Sequence, residues 1–166
     1  MRTEEVIELV RRVAAIDSSS ADCVVLKGCV ADLRVLQSWI EGRQVGCVRR
    51  LATESSFPEK SFAEAANTSL HHGGKLLERA ATAGSMPVFG SSLDEGRVSG
   101  EHVDVLTRTL RGLEPAARDK LIRQAERLVV IAENATPDEF GRSVRAEARR
   151  LESGVDLIAW TPDSGG

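Results

Sequence analysis

The stretch CVVLKGCVADLRVLQSWIEGRQVGCVRRLAT, residues 23 to 53, decides the fold class. Leu26, Cys29, Leu33, Leu36 and Ile40 follow one another at steps of three and four, and Cys47, Val48 and Leu51 extend the apolar series. This is the period of a helix face, not the alternation of a strand. Asp22 is suited to cap the start of the helix, and Trp39 stands beside the stripe. Gly28, Gly42 and Gly46 each lower helix propensity by about 1 kcal/mol relative to alanine, which permits a bend near 42 to 46. Two readings of the stripe stand side by side. It is either a seam facing the chain's own core, or a coiled-coil contact surface around Leu33, Leu36 and Ile40 that pairs two copies as a homodimer. The heptad pattern lasts about two repeats before Arg43 interrupts it.

Helical periods continue on both sides of this segment. Val6, Leu9, Val10 and Val13 mark a short first helix that ends before Asp17-Ser-Ser-Ser20. Pro58 opens a helix over 59 to 66, Asn67-Thr-Ser69 forms a turn, and a second helix runs from Leu70 to about Ala83. A short helix over 88 to 95 ends at Gly96 in a left-handed cap. Ser99 caps the next, whose Val103, Leu106, Leu110 and Leu113 face inward. Pro115 starts a helix carrying Leu121, Ala125, Leu128 and Ala132 on one face. Thr136-Pro-Asp-Glu139 is a capping box with proline at the first helical position, and Phe140, Val144, Ala148 and Leu151 follow at helical spacing. The expectation is an all-α protein: a multi-helix bundle with one long helix and a helix-turn-helix-like hairpin, one helical domain over residues 1–152. Residues 153–166 then form a tail or linker, strand-like at Val155-Asp-Leu-Ile-Ala-Trp160.

At 166 residues the chain can bury a true core without disulfides. Cys23, Cys29 and Cys47 are an odd set with no C-x-x-C pair and read as reduced core thiols of a cytoplasmic protein. Residues 1 to 20 hold Glu4, Glu5 and Glu8 and lack the apolar run of a secretory signal, and no segment approaches the roughly 20 apolar residues of a membrane span. The formal charge of −3 conceals a near balance. The absence of a basic excess counts against strong non-specific DNA binding by the chain as a whole and leaves room only for a local basic face.

Catalytic motifs are absent from the sequence. His71 and His72 are adjacent, about 100° apart on a helix, and cannot grip one metal in the usual i, i+4 manner. There is no G-x-S-x-G elbow, no phosphate-cradling glycine loop and no H-E-x-x-H. Glu101-His102 with Asp104 reads as a helix start, with Glu101 favoured by the helix dipole and His102 on the surface. Neither a metal nor a cofactor is expected. The hairpin over 62 to 80 carries the more specific expectation. Leu70, Gly73, Leu77 and Ala80 form its inward stripe, and Gly73 and Gly74 allow a close helix crossing; His72, Lys75 and Arg79 share a basic face that is either suited to double-stranded DNA or, with Glu78 close by, the solvated edge of a tight helical hairpin. Arg142, Arg145 and Arg149 on the last helix add to that surface.

Three segments carry a family resemblance: WIEGRQVGCVRRLA (39–52), KLLERA (75–80) and, most specifically, LDEGRVSGEHVDVL (93–106), where glycine cap, serine N-cap and helix start coincide. Over residues 20 to 152 the chain resembles the actinobacterial domain of unknown function 222, also called the 13E12 repeat family. The resemblance implies a helical region that stands ahead of an HNH endonuclease domain. No histidine follows His102, so the nuclease motif itself is missing here, and a nuclease domain, if there is one, is expected to begin beyond Gly166. The expected function is a non-catalytic accessory module that helps an HNH nuclease, in cis or in trans, to bind or position DNA. The alternative is a protein-interaction or dimerisation module without direct DNA contact.

Overall fold

A computed structural model of the chain describes residues 1–154. Among these, nine helices and no strand are found, so the protein is all-α. Helix α1 (Thr3–Ala14) folds against the start of α2 (Cys23–Glu54), which spans 32 residues without a break. Asp22 caps α2 by accepting from the N–H groups of Val24 and Val25 at 2.9 Å. Arg12 clamps the α1–α2 hairpin through a two-pronged bond to Asp32, at 2.9 and 2.7 Å. Leu9 and Leu36 are buried in this hairpin, apart from the main core.

The main body begins where α2 meets α3 (Pro58–Ala65), α4 (Leu70–Ser85) and α5 (Pro87–Asp94). α3 and α4 form the expected hairpin, turning through Asn67 at φ 49°, with Ser69 accepting from His72 N–H at 3.1 Å. Gly73 is essential to it, because a Cβ there would strike the backbone carbonyl oxygen of Glu59, whereas a Cβ on Gly74 would meet nothing. Gly42 plays the same part between α2 and α5, its Cα facing the Asp94 backbone. Gly96 is the left-handed cap read from the sequence, at φ 74°, and packs against Val35.

Helix α6 (Gly100–Gly112) lies between α4 and α9 (Pro137–Glu152), the helix opened by the Thr136 capping box. α7 (Pro115–Ile122) and α8 (Ala125–Glu133) close the bundle. The core runs from Val45 and Val48 through Phe89, Leu93, Val103 and Leu106 to Leu121, Leu128, Phe140 and Val144.

Four expectations are corrected. The helix expected from 115 to 132 is two helices, interrupted at Arg123-Gln124. The inward stripe of α4 is Gly73, Leu76, Ala80 and Ala83, rotated from the expected one, and Leu70 is exposed. The long stripe on α2 divides: Leu36 is buried, so it is not a docking residue, while Leu33 and Ile40 remain about half exposed. Cys23 and Cys47 are exposed and Cys29 is half-buried, so these thiols are not core groups; apolar neighbours in sequence do not decide which side of an unevenly covered helix a residue takes. The strand-like reading of 155–160 lies outside the described residues.

Candidate nucleic-acid interface and the ion network beneath it

Arg79 does not reach solvent. It is 9% exposed and donates to both carboxylate oxygens of Asp104, Nε to Oδ1 at 2.8 Å and Nη2 to Oδ2 at 2.9 Å. Its Nη1 lies 3.5 Å from Glu41, whose other oxygen accepts the Gly100 N–H at 2.7 Å. Three helices far apart in sequence, α2, α4 and α6, thus meet at one guanidinium. Gly100 is required there, since a Cβ would occupy the space of the Arg79 guanidinium. Lys75 extends to Asp104 at 3.0 Å, its amine still partly in solvent. Burial pushes the Asp104 carboxyl upward, but the bonds and charge of Arg79, with Lys75, outweigh it and hold it below its usual range. Burial likewise works against the charge on Arg79, and its Asp104 bonds more than offset this.

His102 is the second correction at this site. It is 4% exposed rather than on the surface, and takes the place that Glu or Gln holds in a capping box. Ser99 N–H donates to Nδ1 at 3.2 Å, so Nδ1 must be unprotonated, and Nε2–H donates to the Ala135 carbonyl at 3.0 Å. The neutral ring therefore ties the start of α6 to the α8–α9 link, and burial lowers its pKa. A lowered pKa in the folded state means that stability is full above the unfolded value of about 6.5 and is lost as pH falls through it. Thermal unfolding should show a lower midpoint at pH 5 than at pH 7. His102→Gln, which keeps an acceptor for Ser99 but cannot titrate, should flatten that difference; an unchanged profile would assign it to other groups.

With Arg79 buried, the basic face expected on α4 is reduced to Lys75, exposed but paired with Asp104, and His72, which is exposed and has its ring beside Phe62 at 6.3 Å. The cleft of about 780 Å³ between α4 and α6 mixes Lys75, Arg108 and Arg111 with Glu78, Glu101, Asp104 and Asp138, and so offers no single sign of charge. Arg111 pairs with Glu78 across it.

Positive charge collects one groove away. Arg142, Arg145 and Arg149 are exposed on the outer face of α9, at the spacing of three and four that aligns side chains. Arg145 and Arg149 line a shallow groove of about 420 Å³ together with Arg108 of α6. Neither makes an ion pair or side-chain hydrogen bond among the described residues. The Thr136 bonds, and after them the charge of Arg142, hold the Glu139 carboxyl below its usual range, and Glu152 also lines the groove. Gly141 leaves room for the Arg145 guanidinium to lie back over the helix.

No family model, no curated protein and no solved structure matches the chain. The geometry therefore carries the functional reading. Among the described residues no group of three or more histidine, cysteine or carboxylate side chains is arranged to hold a metal, and no helix is long and apolar enough to cross a membrane. The titratable groups with the largest structural involvement, Arg79, Asp104 and His102, are all consumed by bonds within the fold. Arg108 was not legible as a site residue, because only the α6–α9 contact brings it beside the arginines of α9. Its one sequence signal is its place outside the Val103, Leu106, Leu110 stripe.

Proposed function

We propose that this chain is a non-catalytic helical module that rests on duplex DNA through the arginines of α9 and α6, and so positions an HNH nuclease domain in cis or in trans. The observation that carries the reading is the exposed, unpaired state of Arg145 and Arg149 beside Arg108, with Arg142 one turn away. Guanidinium groups bind phosphate oxygens in pairs of parallel hydrogen bonds, and a helix face with three of them can follow a phosphate backbone. The resemblance of residues 93 to 106 to the helical region of HNH-linked proteins supports the link to a nuclease domain, and the choice of contact residues rests on the arginine surface alone. A surface of four arginines gives sequence-independent affinity, of the order of 10⁻⁴–10⁻⁶ M at physiological salt.

The test is fluorescence anisotropy with a labelled duplex of mixed sequence at low salt. Arg142→Glu, Arg145→Glu, Arg149→Glu in one chain should weaken binding at least about tenfold, whereas Lys75→Gln should change it less than about twofold. Equal losses in both variants would return the contact to α4, and unaltered binding by the triple variant would remove the α9 face from consideration.

A further inference from the structure

The exposed side of α2 carries a second pattern, one register away from the stripe that the sequence displays first. Leu26, Val30, Leu33, Gln37, Ile40, Gln44 and Cys47 follow at steps of four and three throughout, a coiled-coil seam of 3.5-residue period. Val30 is 66% exposed, Leu33 46% and Ile40 48%, and Gln37 and Cys47 are also exposed. α1 covers the neighbouring side of α2, which buries Leu36, but leaves Val30, Leu33, Gln37 and Ile40 open, while Leu26 and Gln44 are half-buried and Val48 beside Cys47 belongs to the main core.

We infer that this seam pairs with the same seam of a second copy of the chain, α2 against α2 in parallel. Val30 in the a position with Leu26 and Leu33 at d is the combination that favours two strands. The glutamines fix the direction. In the parallel register Gln37 and Gln44 each meet their own counterpart, and a carboxamide can both donate to and accept from an identical group. Antiparallel layers pair a with d, setting these amides against apolar side chains and leaving them unsatisfied on burial. Flanking charge agrees. Asp22, besides capping its helix, is a g position, and the parallel arrangement places it across from the partner's Lys27, with the reciprocal pair on the other side. Neither Asp22 nor Lys27 has an ion-pair partner within the chain among the described residues.

The area is sufficient. The 22 residues from Leu26 to Cys47 make about 33 Å of helix, and a strip of helix width covers about 400 Å² on each partner. α1 turns Glu5, Glu8 and Arg12 toward Glu95 and Arg97, which leaves Ile7 and Val10 on the side away from the body, 44% and 50% exposed. With that shoulder the total reaches the order of 1,000 Å² at which stable interfaces begin.

Sedimentation equilibrium of the full chain at tens of micromolar tests the pairing. The expected mass is twice that of the chain, and Leu33→Glu, Ile40→Glu should halve it while helical circular dichroism is retained, both positions being half exposed. A monomeric wild type, or a dimer that survives the double substitution, would overturn the proposal. Direction is read by disulfide trapping with Cys23→Ser, Cys29→Ser, leaving Cys47 at a d position. Diamide takes two electrons and two protons from a pair of facing thiols and becomes its hydrazine. A covalent dimer through Cys47 is expected; a dimer by mass that yields none would refute the parallel register.

Discussion

Arg79→Ala is expected to lower the free energy of unfolding by about 3–5 kcal/mol, because it strands buried carboxylates rather than merely deleting a contact. Asp104 would keep Lys75 at 3.0 Å as its remaining counter-charge, which places the loss toward the lower end, while Glu41 would retain only the Gly100 N–H. Chemical denaturation at pH 7 measures the loss. The mechanism has its own signature: Arg79→Met combined with Asp104→Leu removes both charges and should recover a substantial part of the stability. A double variant as unstable as the single one would show that shape, not charge, is what Arg79 supplies. Binding of the folded Arg79→Ala protein to DNA should stay within about twofold of wild type, since the side chain is 9% exposed.

Phe140→Ala should cost about as much, roughly 3–5 kcal/mol, by a different route. The ring is completely buried, 5.8 Å from Phe89 and 5.7 Å from His102 between ring centres. It sits one turn inside α9, so it seats the helix that bears Arg142, Arg145 and Arg149. Removing it leaves a cavity where α9, α6 and α5 converge, and the loss is a large share of the 5–15 kcal/mol typical of a domain. A denaturation midpoint within experimental error of wild type would mean that the bundle closes over the gap and that α9 is held mainly by Val144 and Ala148.

Sequence periodicity was a good guide to the elements and a poor one to their neighbours. Asp22, Ser69 and Thr136 acted as caps where short polar side chains precede helical runs, and Gly96 adopted the left-handed cap because it follows the last periodic residue of α5. These are local effects, settled within four or five residues. The partners of Arg79 were illegible for the opposite reason. Asp104 lies 25 residues away and Glu41 lies 38 positions upstream, on helices whose contact with α4 is fixed only by packing. A basic residue three or four places from another basic residue reads as an outer face until a carboxylate from another helix is found opposite it. His102 misled similarly, since a histidine at the third helical position is polar in isolation, and only the Ala135 carbonyl makes its burial favourable. On α2 the apolar residues form two interleaved registers, and α1 decides which is covered. That choice depends on the Arg12–Asp32 clamp, 20 residues apart, and not on the composition of α2 itself.

The measurement that bears most directly on the central claim is the salt dependence of duplex binding by the intact chain. Four arginines neutralising four phosphates give a slope of log K against log salt of about −3.6, and loss of the three α9 arginines leaves at most about −0.9. That pair of slopes is the predicted result. Absence of binding at the lowest salt, or a slope that the triple α9 variant leaves unchanged, would contradict the assignment of this helical module to DNA through α9.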